Sequence, residues 1–424
     1  MNESLGFGGR LSRRSFTVSS LASAIALSHS RALFAQDATP VGGDNGVTSE
    51  TLLTGLLDPR FIAIDGSDVY FTETGNGGDT PVFTIPGEGT PEPTDPISMT
   101  GNTGKLSKLA ADGALTEVVS DFRSYTFGAN GEVVGAAGVA LDGAGFAYVA
   151  VGGPGPNISL ITLTGEENVV YKVDLATGEK TALAALGEFE LANNPDPASI
   201  DSNLYGAAYL DGKVYVADAG GNTVYTVDAE SGDITPWVVT GGLPVDFFGD
   251  AGNPARGGAK EIDSVPSGVV IGPDGRIYVS FTTGGPFPAG LAPINAYTAD
   301  GTEETFATGL TMSSGLDFAS DGKLYVAIVS VDLINGAPGQ VVRVEDDGSL
   351  TVVIDGLVMP AGIAFDADDN LYVIEHSSVV PGGGNLVKYT GVTSVPASGG
   401  DGTPEATPVA NNGGASISGP FGLR

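Results

Sequence analysis

The chain of 424 residues contains no cysteine and only two histidines. The first absence removes disulfides, thiolate nucleophiles, cysteine zinc sites and a lipid anchor through cysteine. It does not fix the compartment, because an exported chain with a large core needs no disulfide staples. His29 falls in the segment read below as a targeting signal, so only His376 remains in the mature chain. That weakens every reaction leaning on a histidine base, including quinone-dependent sugar dehydrogenation, paraoxonase-like dyads and streptogramin-lyase chemistry. The chain also lacks a Gly-x-Ser-x-Gly elbow, a P-loop and a His-Glu-x-x-His pair.

Positive charge is scarce. Lys and Arg total 18 against 51 Asp and Glu, a formal charge of −33 and a pI near 4.1. A nucleic-acid partner needs a Lys/Arg footprint and is not expected. Docking on an anionic membrane surface is disfavoured for the same reason. Such acidity keeps an exported protein soluble, or attracts cations.

What is present is ample for a large core, with 41% hydrophobic residues. Gly (65) and Pro (26) are abundant, as expected of many short strands joined by tight turns.

Residues 1–35 read as a signal peptide. Ser12-Arg13-Arg14-Ser15-Phe16-Thr17 matches a twin-arginine motif, with Arg13 and Arg14 as the pair. A weakly apolar stretch follows from Val18 to Leu27, then a small-residue end at Ala32-Leu33-Phe34-Ala35. The stretch is too short for a membrane span. Export by this route, to the periplasm or the exterior, is expected. Residues 36–47 are then a flexible linker.

One phrase recurs six times: a turn, an apolar residue, Tyr, and usually Val. It includes Asp211-Gly212-Lys213-Val214-Tyr215-Val216, Asp274-Gly275-Arg276-Ile277-Tyr278-Val279 and Asp321-Gly322-Lys323-Leu324-Tyr325-Val326. The other copies centre on Tyr70, Tyr148 and Tyr372. Each is preceded by one apolar run and followed by two more, giving four short strands per unit. Units of this kind are propeller blades. The fold class expected is all-β: a six-bladed β-propeller over 48–391. Its four-stranded blades fall at about 57–119, 137–186, 202–240, 264–308, 313–355 and 359–391 plus 48–56. The last blade lacks an outer strand, and Thr51-Leu52-Leu53-Thr54-Gly55-Leu56 resembles one, so the N-terminal strand should complete it. Residues 392–424 read as a low-complexity flexible tail.

Two Gly/Thr/Pro-rich segments, 74–103 and 152–167, interrupt blades 1 and 2 after their second strands and should project on one face. Asp366-Ala367-Asp368-Asp369-Asn370 superficially resembles a calcium loop. It lacks the Gly and terminal Glu of an EF-hand and stands where other blades turn, so it reads as a turn.

Several blocks carry a family resemblance. They are Glu73-Thr74-Gly75-Asn76-Gly77-Gly78, Asp201-Ser202-Asn203-Leu204-Tyr205-Gly206, Ala217-Asp218-Ala219-Gly220-Gly221-Asn222, Asp263-Ser264-Val265-Pro266-Ser267 and Gly285-Pro286-Phe287-Pro288-Ala289-Gly290. In these the chain resembles the ScyD/ScyE family of exported NHL-like propellers over about residues 48–390. The resemblance implies the fold and export, and an association with pigment assembly. It brings no catalytic set, and the long insertion in blade 1 departs from the family pattern.

The acidic residues at the ends of second strands are the candidate site. Glu73, Asp218 and Glu375 occupy equivalent positions in blades 1, 3 and 6, and Asp201, Asn203 and Asp263 precede inner strands. Together they should face one end of the channel. A ring of carboxylates with an Asn could hold a hard cation, with Ca²⁺ bound by Asp201, Asn203, Asp218 and Glu375. The other reading is that these side chains cap turns and bond backbone N–H groups. Phe287, between two prolines, is either a binding lip or loop packing. His376, at a loop start, is either a solvated side chain or a base or ligand. Three functions follow. The first is a binding scaffold for a small molecule or protein at the loop face. The second is a Ca²⁺-dependent hydrolase or lactonase of the six-bladed gluconolactonase type, by analogy only. The third, from the family alone, is a structural partner in pigment or envelope assembly. A monomer is expected.

Overall fold

The computed structural model describes residues 45–86, 93–127, 133–155, 163–198, 200–378 and 382–397. The expected signal at 1–35 with Arg13 and Arg14, nearly all of the 36–47 linker and the tail beyond residue 397 lie outside the described residues.

The chain folds as a six-bladed β-propeller. Blade 2 is built from Ala136–Leu141, Phe146–Val151, Val169–Asp174 and Lys180–Ala185. Blade 3 follows with Leu204–Leu210, Lys213–Asp218, Thr223–Asp228 and Ile234–Val239. Blade 4 has Pro266–Ile271, Ile277–Phe281, Ala292–Tyr297 and Glu303–Leu310. Blade 5 has Ser313–Phe318, Leu324–Ile328, Gly339–Val344 and Leu350–Leu357. Blade 6 has Ile363–Phe365, Leu371–Glu375 and Gly384–Thr390, and Thr48–Leu56 supplies its outer strand. That strand pairs antiparallel from Thr48 opposite Thr390 to Leu56 opposite Gly384. The ring therefore closes by joining the first and last strands of the propeller.

The recurring phrase has a physical basis. In blades 4, 5 and 6 the turn Asp accepts a hydrogen bond from the Tyr hydroxyl of the next strand. The pairs are Tyr278 to Asp274 (3.0 Å), Tyr325 to Asp321 (3.0 Å) and Tyr372 to Asp366 (3.3 Å). Asp366 also accepts from Asn370, which makes the Asp-rich segment a turn. Three tyrosines of the phrase, Tyr278 and Tyr325 among them, also meet an aromatic on the inner strand of the following blade. Tyr148 stacks on Tyr209, Tyr278 meets Phe318 edge-on and Tyr325 meets Phe365. Each such pair is worth about 0.5–1.5 kcal/mol beyond its buried area. One residue type thus locks a turn and glues two blades.

The inner strands touch backbone to backbone around the channel. Gly206 and Gly362 are two of the glycines that let them meet. A Cβ on Gly206 would sit 2.2 Å from Ser267 O, and one on Gly362 would sit 2.5 Å from Arg60 O. Gly362 N–H donates to Arg60 O at 2.7 Å, tying blade 6 to blade 1.

Three segments depart from the expected pattern of plain loops. Residues 74–103 continue the sheet of blade 1: Thr80–Pro86 pairs with the front half of the 17-residue strand Pro93–Leu109, which pairs in turn with Leu115–Phe127. With Pro59–Asp65, Asp68–Glu73 and Val133–Val134 this sheet has six strands, and it runs past residue 119. The alternating β-branched residues at Thr80, Val82 and Thr84 suit a strand as well as a loop. The α-helix Leu186–Asn193 lies between blades 2 and 3 and ends on left-handed Asn194. Between blades 3 and 4, Gly242–Pro244 pairs with Glu261–Asp263 and carries two 3₁₀ turns, Gly249–Ala251 and Pro254–Arg256.

Candidate functional site

One backbone hydrogen bond repeats at the loop-bearing mouth of the channel. The residue after each second strand donates its N–H to the residue before the inner strand. The pairs are Thr74 to Asp58, Gly152 to Gly135, Ala219 to Asn203, Thr282 to Val265 and Val329 to Met312, at 2.8–3.1 Å. Blade 6 carries one extra residue, left-handed His376 (φ 58°), so Ser377 donates to Met359 there. Four of the six acceptors, Asp58, Val265, Met312 and Met359, have φ between 44° and 56°. For Val265 this is a strained conformation, held by the N–H bond it donates to Asn222 Oδ1. The mouth is therefore a pinned rim from which the longer loops rise.

The predicted acidic residues lie at this end and are engaged. Glu73 is buried, and Oε2 accepts the Leu57 N–H at 2.6 Å. Asp218 is fully buried. Oδ1 accepts from the N–H groups of Asn203 (2.8 Å) and Gly221 (3.0 Å), and Oδ2 accepts from Ser202 Oγ (2.7 Å). Glu375 accepts the Tyr389 hydroxyl at 2.6 Å. Burial pushes all three carboxyls up, opposed by these donors. Asp201 caps Ser202 N–H at 2.8 Å, and burial, then the nearby Asp218 charge, raise it to about 7.

The structure brings Asp201, Asn203 and Asp218 together, with Asp263 close enough to raise Asp201 further. Glu73 and Glu375 are each bonded within their own blade environments, 1 and 6. Among the described residues, no three His, Cys, Asp or Glu side chains are grouped to hold a metal. The donor set named for Ca²⁺ is thus divided between blades 3 and 6, and Asp218 spends both oxygens on capping bonds.

Two arginines were missed. Arg256, from the insertion between blades 3 and 4, is only 6% exposed and contacts three carboxylates: Asp263 Oδ1 at 2.5 Å, Asp196 Oδ2 at 3.2 Å and Glu261 Oε2 at 3.3 Å. Asn222 donates to both Asp196 (3.2 Å) and Asp263 (3.1 Å) from below. Asp263 is therefore an ion-pair partner here. Arg60, on the inner strand of blade 1, is buried against Asp58 (3.2 Å) and donates to Ser377 Oγ (2.6 Å) and Val133 O (2.9 Å). The available signal was scarcity: with so few cations, Arg256 serves three acids and Arg276 two.

Phe287 is half-buried and packs on Met312, Leu333, Val358 and Met359, a small apolar cluster joining blades 4, 5 and 6 at the rim. Among the described residues, the three most exposed large apolar side chains also lie on this face: Phe247 (68%), Ile334 (63%) and Leu191 (56%). The opposite face carries Leu115 (50% exposed) and a shallow cleft of about 450 Å³ between blades 4, 5 and 6, lined by Asp317, Phe318, Ser320 and Phe365.

No protein-family model matches the chain, and no curated protein matches it. Among solved structures, a gluconolactonase from Xanthomonas campestris aligns at 13% identity and TM-score 0.45, over 83% of this chain and 91% of that one. A catalytically inactive virginiamycin B lyase from Staphylococcus aureus, solved with quinupristin, aligns at 13% identity and TM-score 0.43, over 81% and 98%. A luciferin-regenerating enzyme aligns at 11% and 0.46, over 82% and 96%. At these levels no activity is carried across. No helix among the described residues is long and apolar enough to cross a membrane.

Proposed function

We propose that this chain is an exported binding propeller that engages a protein or small molecule at its loop-bearing face, as the resemblance to ScyD/ScyE propellers and the twin-arginine motif suggest. The observation that carries the reading is the placement of exposed apolar groups. Leu191, Phe247 and Ile334 all stand on segments added between or within blades, on the face where the blade loops are longest. Exposed apolar side chains on rigidly held loops are the usual start of a recognition surface. The carboxylates at the channel mouth serve this reading as caps that hold the loops in place.

The test uses a photo-cross-linking residue at Ile334 on the loop face and, as control, at Leu115 on the opposite face. Adducts with extracytoplasmic components should form from Ile334 and not from Leu115. Equal yields from the two faces would overturn the reading.

A further inference from the structure

The two linkers flanking blade 3 form a surface with a defined chemistry. The first is the helix Leu186–Asn193, whose Leu191 is exposed and follows exposed Glu188 by three residues, one turn along the same side. The second is the insertion 242–263. Phe247 stands on it in edge-on contact with Phe248 (5.3 Å between centroids), beside exposed Asp246 and Asp250. The two linkers are joined. Arg256 of the insertion reaches Asp196, three residues beyond the helix, and Asn222 of blade 3 braces the same carboxylate. The segment just after the helix is thus held to the insertion by a buried ion pair, while the helix and the insertion expose Leu191 and Phe247 near acids. Lys260 is the one exposed cation on the insertion, and Asp250 takes it at 3.2 Å.

We propose that this surface is a docking site for a cationic, apolar-sided protein segment, a peptide or tail carrying Lys or Arg beside Leu-like side chains. The inference rests on the loop-face reading above and narrows it to one place and one class of partner. Charge complementarity selects the occupant. An anionic or neutral segment would meet Glu188 and Asp246 without compensation, whereas a cationic one pairs with them as Leu191 and Phe247 are covered. An apolar anchor inside a ring of charged contacts is how small recognition surfaces divide affinity from specificity.

The experiment titrates the folded propeller with a labelled helical peptide bearing Leu on one side and Lys on the other. A Lys/Ser peptide of equal charge and a Glu/Leu peptide serve as controls. The Lys/Leu peptide should bind, weaken as salt is raised, and bind about tenfold less well to Leu191→Ser or Phe247→Ser, which leave the net charge unchanged. Equal binding of the Lys/Ser peptide, or unaltered binding to both variants, overturns the proposal, because either means bulk charge alone. If the Lys/Leu peptide fails while Ile334 still gives adducts, the partner class is wrong and the loop-face reading survives. If both fail, both fall.

Discussion

Arg256 Nη1 lies 2.5 Å from Asp263 Oδ1 and 3.2 Å from Asp196 Oδ2, so one nearly buried nitrogen joins two inter-blade linkers. Its removal would strand carboxylates, one of which is only 5% exposed. Breaking a buried pair on one side costs more than the pair contributes, because the remaining charge stays desolvated. Arg256→Gln is expected to cost about 3 kcal/mol and to loosen the insertion before the rest of the ring. Arg256→Lys should recover part of this, since it restores the charge without the fork that reaches two acids. Denaturant unfolding together with hydrogen exchange over 242–263 reads both effects. A global loss without early exchange in the insertion would contradict the latch.

Asp218 separates capping from metal binding. It accepts three hydrogen bonds with no exposed surface, so Asp218→Ala leaves the Asn203 and Gly221 N–H groups and the Ser202 hydroxyl buried without their acceptor. The expected loss is about 2–4 kcal/mol. Asp218→Asn should lie between, keeping one acceptor oxygen. Wild type and variants should melt at unchanged temperatures when Ca²⁺ replaces chelator. A Ca²⁺-dependent rise in the wild type that Asp218→Asn abolishes would establish the calcium reading instead.

Asp317 gives a pH test on the other face. Its carboxylate joins blade 5 to blade 6 by accepting the Phe365 N–H at 2.8 Å, and it also takes the Phe318 N–H at 2.8 Å. Burial raises it to about 6, against an ordinary value of 3.8, and the two N–H donors offset only part of that. The folded chain therefore holds this proton to a higher pH than the unfolded chain. Between those two values the native state binds more protons, so this group's stabilisation is full below about 4 and lost as pH rises through about 6. Asp317→Asn removes the titration. The variant's melting temperature relative to wild type should climb across this window and then level off. A constant difference from pH 4 to 8 would show that Asp317 is ionised normally in the fold. Asp201, raised to about 7, acts in the same direction on the loop face.

The propeller was legible because its repeat is chemical as well as periodic. The turn Asp and the strand Tyr bond to each other in blades 4 to 6, so the phrase marks both a turn and a strand in the right order. Ring closure was legible because the Thr48–Leu56 strand reads like an outer strand. The acidic positions at the channel mouth were legible as positions, since Glu73, Asp218 and Glu375 end their strands in register with Tyr70, Tyr215 and Tyr372. Their partners were not. Asp263 meets Arg256 from seven residues away within an insertion that has no periodicity, and Asp196 meets it from sixty residues away. Such pairings depend on how linkers fold back, which local pattern does not encode. The helix Leu186–Asn193 escaped for a related reason. Its buried contacts include Glu190 with the Tyr225 hydroxyl (2.7 Å), Phe189 on the Tyr225 ring and Leu186 in the core between blades 2 and 3, tertiary contacts rather than an amphipathic stripe.

The N-terminal strand offers the last test. Among the described residues Thr48–Leu56 alone pairs with the outer edge of Gly384–Thr390, and Leu52, Leu53 and Leu56 pack with Ile374 and Leu386 in the core of blade 6. Deleting residues 45–56 would leave an open strand edge and exposed leucine-contact surface, the combination that invites pairing with other chains. The ring would also lose the strand that ties its two ends, leaving the first and last blades held by side-by-side contacts such as Gly362 N–H to Arg60 O and Arg60 to Ser377 Oγ. The truncated chain should unfold over a broad denaturant range, bind a hydrophobic dye and self-associate. Adding a peptide of residues 48–56 in trans should restore part of the cooperativity, because the register from Thr48 opposite Thr390 to Leu56 opposite Gly384 is set by side chains within the peptide. A truncated chain that stays monomeric and melts as sharply as the full one would mean that inner-strand contacts alone close the ring.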